Sequence, residues 1–333
     1  MKAFIINKYS NKEALQLADV PVPTVNDNDV LIEVYAAGLN LLDSKIKSGE
    51  FKTILPYQFP LILGHDVAGV VTQVGKNVKI FQTGDEVYSR PSDGRIGTLA
   101  EFISVNEKDV AFKPKNISME AAASIPLVAL TAWQVFVEKA DLQKEQKVFI
   151  QAGSGGVGTI AIQLAKHLGA TIATTASTQS FQMLKELGAD LIIDYKTQDF
   201  ETVLKDYDLV LNSQDTRTLE KSLNILRQGG KAISISGPPT PEFATEKKLP
   251  WFIKLILSFL SRGIRRKSKN LNVDYSFLFM RANGSQLQEI TKLIESGIIK
   301  PVVDKVFSFD QSNDALKYVE SGRAKGKIVV RLK

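Results

Sequence analysis

Along the first third of the chain, short apolar runs alternate with polar turns at the period of β structure. Ala3–Ile6, Val30–Ala36, Val67–Val74, Glu86–Tyr88 and Ala100–Val105 are rich in Val and Ile and read as strands. Gly38, Gly64, Gly75, Gly84 and Gly94 separate the runs. Residues 1–118 are therefore expected to form an antiparallel, barrel-like β domain. The texture changes at Ser118. From there to Lys139 the chain is rich in Ala, Leu and Val, with Ser118 and Glu120 at its start and Glu138 near its end, the marks of a helix.

A strand–helix rhythm follows. Lys147–Gln151 reads as a buried strand and Thr159–Leu168 as a helix closed by Gly169; Thr171–Thr175 and Phe181–Leu187 repeat the pair, closed by Gly188. Leu191–Asp194, Leu209–Leu211 and Ala232–Ile235 read as further strands, and Leu219–Leu226 as a helix ending at Gly229 and Gly230. Alternation at this spacing predicts a parallel sheet with helices on both faces. Helices at Gln286–Glu295 and Asp314–Ser321 and a strand at Lys327–Leu332 return to the mixed texture. The expected organisation is α/β. A β-barrel domain covers 1–118, and a doubly wound parallel-sheet domain covers 119–279, with an insertion at about 238–275. Residues 280–333 return to the first domain.

Composition narrows the chemistry. The 333 residues include no cysteine and two histidines, His65 and His167. Disulfides, thiolate nucleophiles, iron–sulfur clusters, cysteine-ligated zinc and multi-histidine sites are excluded, so no metal site is expected. A balance of 42 basic to 36 acidic residues leaves a net charge of +6, weak grounds for a nucleic-acid or membrane partner on a chain this long. The amino terminus lacks the apolar core and cleavage site of a signal peptide. Leu249–Leu260 is about half a bilayer span and is interrupted by Lys254. A cytoplasmic protein is the expectation.

The strongest chemical signal is Gln151-Ala152-Gly153-Ser154-Gly155-Gly156-Val157-Gly158, set after an apolar strand and before an amphipathic helix. In that context the glycines point to a dinucleotide. Gly153 is expected to make the tight turn, Gly155 to bring backbone against a pyrophosphate, and Gly158 to let helix and strand pack closely. Ser154, Gly156 and Val157 complete a loop that ends in the free N–H groups of a helix N-terminus. NAD sites carry an acid about twenty residues further on. Here the chain has Thr174-Thr175-Ala176-Ser177-Thr178, and the first acid downstream is Glu186. Small hydroxyls donate to a 2′-phosphate that a carboxylate would repel, so NADPH is favoured. The plain alternative is that these hydroxyls only end a strand.

Further motifs widen the pattern: Ala36-Ala37-Gly38-Leu39-Asn40-Leu41-Leu42-Asp43, Leu63-Gly64-His65-Asp66-Val67-Ala68-Gly69-Val70-Val71, Gly84-Asp85-Glu86-Val87, Leu130-Thr131-Ala132-Trp133, and Gly188-Ala189-Asp190 with Ile193-Asp194-Tyr195. With the glycine loop, they make the chain resemble the medium-chain dehydrogenase/reductase superfamily over essentially its full length. The branch is that of zinc-free quinone oxidoreductases and enone (alkenal) reductases. The resemblance implies a GroES-like catalytic domain interrupted by a Rossmann domain, an active site in the cleft between them, and a homodimer joined through the Rossmann sheet edge. It also implies Asn40 and Thr131 at the nicotinamide end, Ser177 and Tyr195 near the 2′-phosphate, and Arg323 as a carboxy-terminal arginine near the cofactor. Many relatives carry a lysine after that serine, where this chain has Gln179, Ser180, Phe181 and Gln182. Arg323 is the expected source of the missing charge.

Comparison with the superfamily's zinc alcohol dehydrogenases sharpens the chemistry. Asn40 stands where those enzymes place a cysteine ligand; His65 keeps their histidine, with Asp66 in place of a glutamate. Three protein ligands cannot be assembled from these, and His65 is read as structural. Without a Lewis acid, the accessible acceptors are quinones and α,β-unsaturated carbonyls, whose conjugation spreads the incoming charge. NADPH would deliver hydride, and Asn40 would hydrogen-bond the developing oxygen anion. A proton would come from water or a nearby hydroxyl. Asn40 as a simple turn residue after Gly38 stays open beside that role. Enoyl thioester reductases of the superfamily use a tyrosine shortly after the Asn40 position. Phe51 stands here instead, which argues against fatty acyl thioesters and leaves Tyr57 and Tyr88 as unplaced phenols.

Pro238–Tyr275 holds an apolar block, Trp251–Leu260, followed by Arg262, Arg265, Arg266, Lys267 and Lys269. Three readings stand: a lid over the substrate cleft, a membrane-surface contact through Trp251–Lys269, and a packed helix followed by a solvated basic loop. Residues 251–273 hold six basic residues and no acid, so they account for the whole net charge. The expected partner is a small quinone or enone, with no nucleic-acid motif in view. A non-catalytic NADPH-binding protein and a zinc-independent enoyl thioester reductase are the alternatives.

Overall fold

In a computed structural model that describes residues 1–333, the chain divides into two units: Met1–Leu130 with Arg281–Lys333, and Thr131–Met280. The first unit opens with β1 (Lys2–Ile6), which pairs antiparallel with β2 (Gln16–Asp19). β3 (Asp29–Leu39) is buried along most of its length and anchors the largest sheet. After it come α1 (Leu41–Ser48), β4 (Leu61–Ile62) on the other edge of β1, and β5 (Asp66–Val74), antiparallel to β3. β6 (Glu86–Ser89) pairs with β5, β7 (Phe102–Asn106) with the start of β3, and β8 (Val110–Phe112) with β6. Val30, Ile32, Val34, Val67, Val71, Val87, Ile103 and Val105 fill the interior of this sheet, which is why the strands alternate in sequence. α2 (Met119–Ala123), capped by the Ser118 hydroxyl, packs on β3 and β5 and carries the first unit past residue 118 to Leu130.

α3 (Pro126–Trp133) continues into a π-helical turn at Gln134–Lys139. The second unit then alternates strictly: β9 (Lys147–Ile150), α4 (Gly156–His167), β10 (Thr171–Ala176), α5 (Phe181–Glu186), β11 (Leu191–Asp194), α6 (Phe200–Val203), β12 (Tyr207–Asn212), α7 (Thr216–Leu223) and β13 (Leu226–Ser234). α8 (Pro241–Glu246), α9 (Trp251–Leu260), α10 (Arg262–Asn270) and β14 (Asp274–Phe277) complete it. Its strands are all parallel, in the order β11-β10-β9-β12-β13-β14. The order reverses between β9 and β12, the arrangement of a doubly wound sheet. Two local readings are corrected. Leu226, expected at a helix end, begins β13, because it pairs with Tyr207 of β12 before a bulge resets the register. The basic segment after Leu260 is helix rather than loop.

α11 (Gly284–Glu295), β15 (Val303–Ser308), α12 (Ser312–Glu320) and β16 (Lys327–Arg331) return to the first unit. β16 lies parallel to β15 and antiparallel to β3, giving the sheet order β15-β16-β3-β5-β6-β8. The carboxy-terminal strand is therefore internal to a sheet begun near the amino terminus. A second apolar cluster, with Leu39, Ile46, Leu63, Leu99, Leu316, Ile328 and Val330, seals α1 and α12 onto that sheet. No helix is long and apolar enough to cross a membrane.

Candidate functional site

β3 ends at Leu39, and Asn40 opens α1 with extended backbone angles. Asp43 fixes this corner. Its Oδ2 accepts the Asn40 backbone N–H at 2.7 Å, and its Oδ1 accepts the Gly64 N–H at 3.1 Å and meets His65 Nδ1 at 2.6 Å. The Asn40 side chain is buried and held at both ends. Its nitrogen donates to Asp66 Oδ2 at 2.9 Å, and its oxygen accepts from Lys327 Nζ at 2.5 Å. Lys327 also donates to Asp66 Oδ2 (2.9 Å) and to the Leu39 carbonyl (3.0 Å), while Asp66 Oδ1 accepts the Leu127 N–H at 2.7 Å. One buried ammonium and one buried carboxylate thus share an amide. Such a pair costs several kcal/mol in desolvation, of order, and is tolerable only when its lone pairs and protons are satisfied as they are here.

One donor of the cluster is weakly held. The second Asn40 N–H has only the Gly38 carbonyl, with nitrogen and oxygen 3.5 Å apart, beyond the usual range. His65, wholly buried, leaves Nε2 without a protein partner. Asn40 is legible in the sequence; Lys327 and the roles of Asp43 and Asp66 are not. The one available signal was a lysine opening the apolar run Ile328-Val329-Val330.

The phenols are occupied elsewhere. The Tyr88 hydroxyl, fully buried, donates to the Leu287 carbonyl at 2.7 Å beside Thr291 Oγ1, and ties the barrel to α11. Tyr57 donates to the Asp93 carbonyl at 2.7 Å. Burial pushes both phenols well above their ordinary pKa. Phe51 packs on the apolar cluster around α1. Thr131 is buried in α3, and Arg323 is exposed in the turn after α12, in the first unit rather than the second.

The glycine loop lies in the second unit, where β9 runs into α4. The left-handed residue of the turn is Ala152, with φ 49°, so the tight turn expected at Gly153 sits one residue earlier. Gly153 is required for another reason. A Cβ there would lie 2.2 Å from Thr174 Oγ1, and one at Gly158 would lie 2.5 Å from the Ala152 carbonyl oxygen and 2.6 Å from Gly153 Cα. At Gly155 a Cβ would meet only the Ala152 oxygen, at 3.3 Å, and otherwise open space. Ser154, Gly156 and Val157 carry the loop into the first turn of α4, whose N–H groups have no intrahelical acceptor.

β10 holds this loop from below. Thr174 Oγ1 donates to the Ile150 carbonyl (2.6 Å), Thr175 Oγ1 accepts the Ala152 N–H (3.1 Å), and the Thr175 carbonyl accepts the Gly153 N–H (3.0 Å). Those two hydroxyls are structural, so the small-hydroxyl reading narrows to Ser177 and Thr178, which are not buried. Ala176 of β10 pairs with Asp194 of β11, so Ser177 and Tyr195 leave neighbouring strands side by side. Both sit at the carboxyl edge of the sheet that carries the glycine loop, and Tyr195 is 61% exposed. The structure thus gathers Gly153–Gly158, Ser177 and Tyr195 on one edge. No carboxylate follows β10 directly. An edge of this shape, with open helix N–H groups and exposed hydroxyls beyond, suits a phosphorylated dinucleotide.

Comparison with known proteins supports both halves. The alcohol dehydrogenase GroES-like domain model matches residues 26–115, and the zinc-binding dehydrogenase model matches residues 187–330. The 2-methylene-furan-3-one reductase of Solanum lycopersicum is 38% identical, over 99% of this chain and 79% of its own length. The chloroplastic NADPH-dependent alkenal/one oxidoreductase of Arabidopsis thaliana is 36% identical over the same shares. Among solved structures, the quinone oxidoreductase of Coxiella burnetii superposes with a TM-score of 0.87 at 28% identity, covering 100% of this chain and 99% of its own.

Proposed function

The chain belongs to the medium-chain dehydrogenase/reductase superfamily, in its quinone oxidoreductase branch, and from that premise we propose that it is an NADPH-dependent reductase of conjugated carbonyls, quinones or enones, that works without zinc. The observation that carries the reading is the donor set around Asn40. Catalytic zinc takes three protein ligands. Here the oxygens of Asn40 and Asp66 already hold the Lys327 ammonium, and His65 has one ring nitrogen left after its contact with Asp43. A single imidazole nitrogen in a chain without cysteine does not fit zinc.

NADPH, when bound, supplies a hydride that, with one proton, converts a quinone to a hydroquinone or an enone to a saturated carbonyl. The chain's own residues do the rest. The N–H groups of Gly156, Val157 and Gly158, with Ser154 and the bare face of Gly155, hold the pyrophosphate; Ser177 and Tyr195 hold the 2′-phosphate. Thr131 completes the nicotinamide end and Arg323 adds charge at the phosphates. Asn40 presents its weakly held N–H to the acceptor oxygen as negative charge grows there. Lys327, on the oxygen of that amide, polarises it and fixes its rotamer, and so acts as a positioning residue. With both phenols committed to backbone carbonyls, the proton comes from water. β14 is an edge strand, which supports pairing of two copies through this sheet.

The test is NADPH consumption against a panel of quinones, 2-enals and enones, with and without a chelator. Turnover of at least one acceptor that survives chelation is expected. Tight NADPH binding with no acceptor consumed would sink the enzyme reading. Activity lost to the chelator and restored by zinc would overturn the metal-free one.

A further inference from the structure

α9 carries an exposed apolar face with nothing packed on it. Ile253 and Leu257, one turn apart, are buried, and α8 packs against the helix. Trp251, Phe252, Leu255, Ile256, Phe259 and Leu260 form a continuous stripe at helical spacing, from 49% exposed at Phe252 to 75% at Phe259. Isolated exposed apolar residues need no explanation, but six on ten residues of one helix do.

The charge beside the stripe says what covers it. α10 begins two residues after Leu260, joined by the buried Ser261, and holds Arg262, Arg265, Arg266, Lys267 and Lys269. Lys267 is tied to the Glu220 carbonyl, and Arg265 turns back toward Ser258. Arg262, Arg266 and Lys269 are exposed, as is Lys254 on α9 itself. Glu242 of α8 faces Lys254 and Arg265, but no acid lies between 251 and 273, so the face keeps a net positive charge. A second copy docked through the same face would bring two such basic clusters together, which like-charge repulsion disfavours. A surface that is apolar and anionic at once satisfies both features.

We propose that α9 and α10 form an interfacial anchor, with α9 lying in the plane of an anionic phospholipid surface and α10 neutralising its headgroups. Apolar insertion and basic attraction each give weak binding, and together they give stable, reversible association. The site is independent of the hydride chemistry, and vesicle binding reads it directly.

The intact protein is sedimented with vesicles of phosphatidylcholine alone and of phosphatidylcholine with phosphatidylglycerol, at low and high salt. Binding is expected only to the anionic vesicles, weakening as salt rises. Phe252→Ser with Phe259→Ser should weaken it by roughly tenfold or more, because each ring contributes through the apolar area it buries. Arg262→Glu with Arg266→Glu should remove the preference for anionic vesicles, and both variants should keep NADPH turnover in solution. The proposal is overturned if no anionic vesicle binds at low salt, or if the serine variant binds like the parent. It is equally overturned if the serine variant splits a dimer in sedimentation velocity, which would assign the face to a second copy. A raised KM for the acceptor without vesicles would assign the face to substrate cover instead.

Discussion

At the scale of single residues, the informative group is Lys327. It lies 261 positions from Asp66 and 287 from Asn40, so no local pattern links them. A lysine opening an apolar strand reads as an exposed end, and only the pairing of β16 with β3 turns it inward. Asn40 was legible because its motif is local. Lys327→Met should destabilise the protein by about 3–5 kcal/mol, since it strands the Asp66 carboxylate in the interior. Asp66→Asn added to Lys327→Met should recover much of that loss in thermal unfolding, and no recovery would mean that packing, not charge, sets the cost. Asn40→Ala leaves the ion pair in place; kcat should fall about a hundredfold with NADPH affinity unchanged. An unaltered kcat would remove Asn40 from the reaction.

Arg95 forks onto Asp29 with contacts of 2.7 and 2.8 Å, and with Asn26 it holds this buried carboxyl at a pKa of about 2. Because the folded value lies below the unfolded one, the stabilisation is complete above about pH 4 and is lost as pH falls toward the folded value. It is worth at most about 2 kcal/mol, given that Arg95 is partly exposed. Asp29→Asn should lower the Tm at neutral pH, and the gap from the parent should close on acidification through that window. A gap that stays constant with pH would assign the cost to lost hydrogen bonds alone.

At the scale of elements, legibility followed locality. The longer strand–helix pairs of the second unit are closed within about thirty residues, so periodicity and glycine punctuation reveal them, whereas α6, four residues long, is too short to print a period. α10 is different: only Ile264 and Ser268 face inward, too few to print a helical period among five basic residues. The glycine loop was legible as a motif but not in its division of labour, because close approach to β10 is a tertiary fact. That division can be tested. Gly158→Ala puts a Cβ into backbone and should disrupt the loop, lowering the Tm as well as NADPH affinity. A Cβ at Gly155 meets only the Ala152 carbonyl oxygen, at 3.3 Å, which a shift of a few tenths of an ångström relieves. In Gly155→Ala the Tm should therefore fall far less than in Gly158→Ala, while NADPH affinity drops tenfold or more by equilibrium titration, in the manner of any group placed against a phosphate. Equal losses of stability in both variants would show that Gly155 serves the fold and not a ligand.

At the scale of the whole molecule, the first unit depends on both chain ends while the second is continuous. β16 is bonded on one side to β15 and on the other to β3, so it is internal to the sheet and not an appendage. The β-rich opening, the alternating middle and the terminal strand are each legible, and the return of residues 280–333 to the first domain is what the family resemblance implies, but the partners of that strand, β3 and β15, are not legible. Strand pairing over nearly the full length of the chain leaves no local mark. Deleting Lys327–Lys333 should therefore remove more than a tail: it opens the first unit's sheet and takes away the partner of Asp66. The second unit, with its own apolar cluster around Phe149, Val210 and Leu219, loses none of its strands. In calorimetry of the truncated chain, the transition of the first unit should vanish while a second persists. NADPH at about 100 times its Kd should stabilise that second transition by about 2.7 kcal/mol. If truncation abolishes every transition and NADPH binding with it, the two units fold as one, and the carboxy terminus governs the cofactor edge as well as the buried lysine.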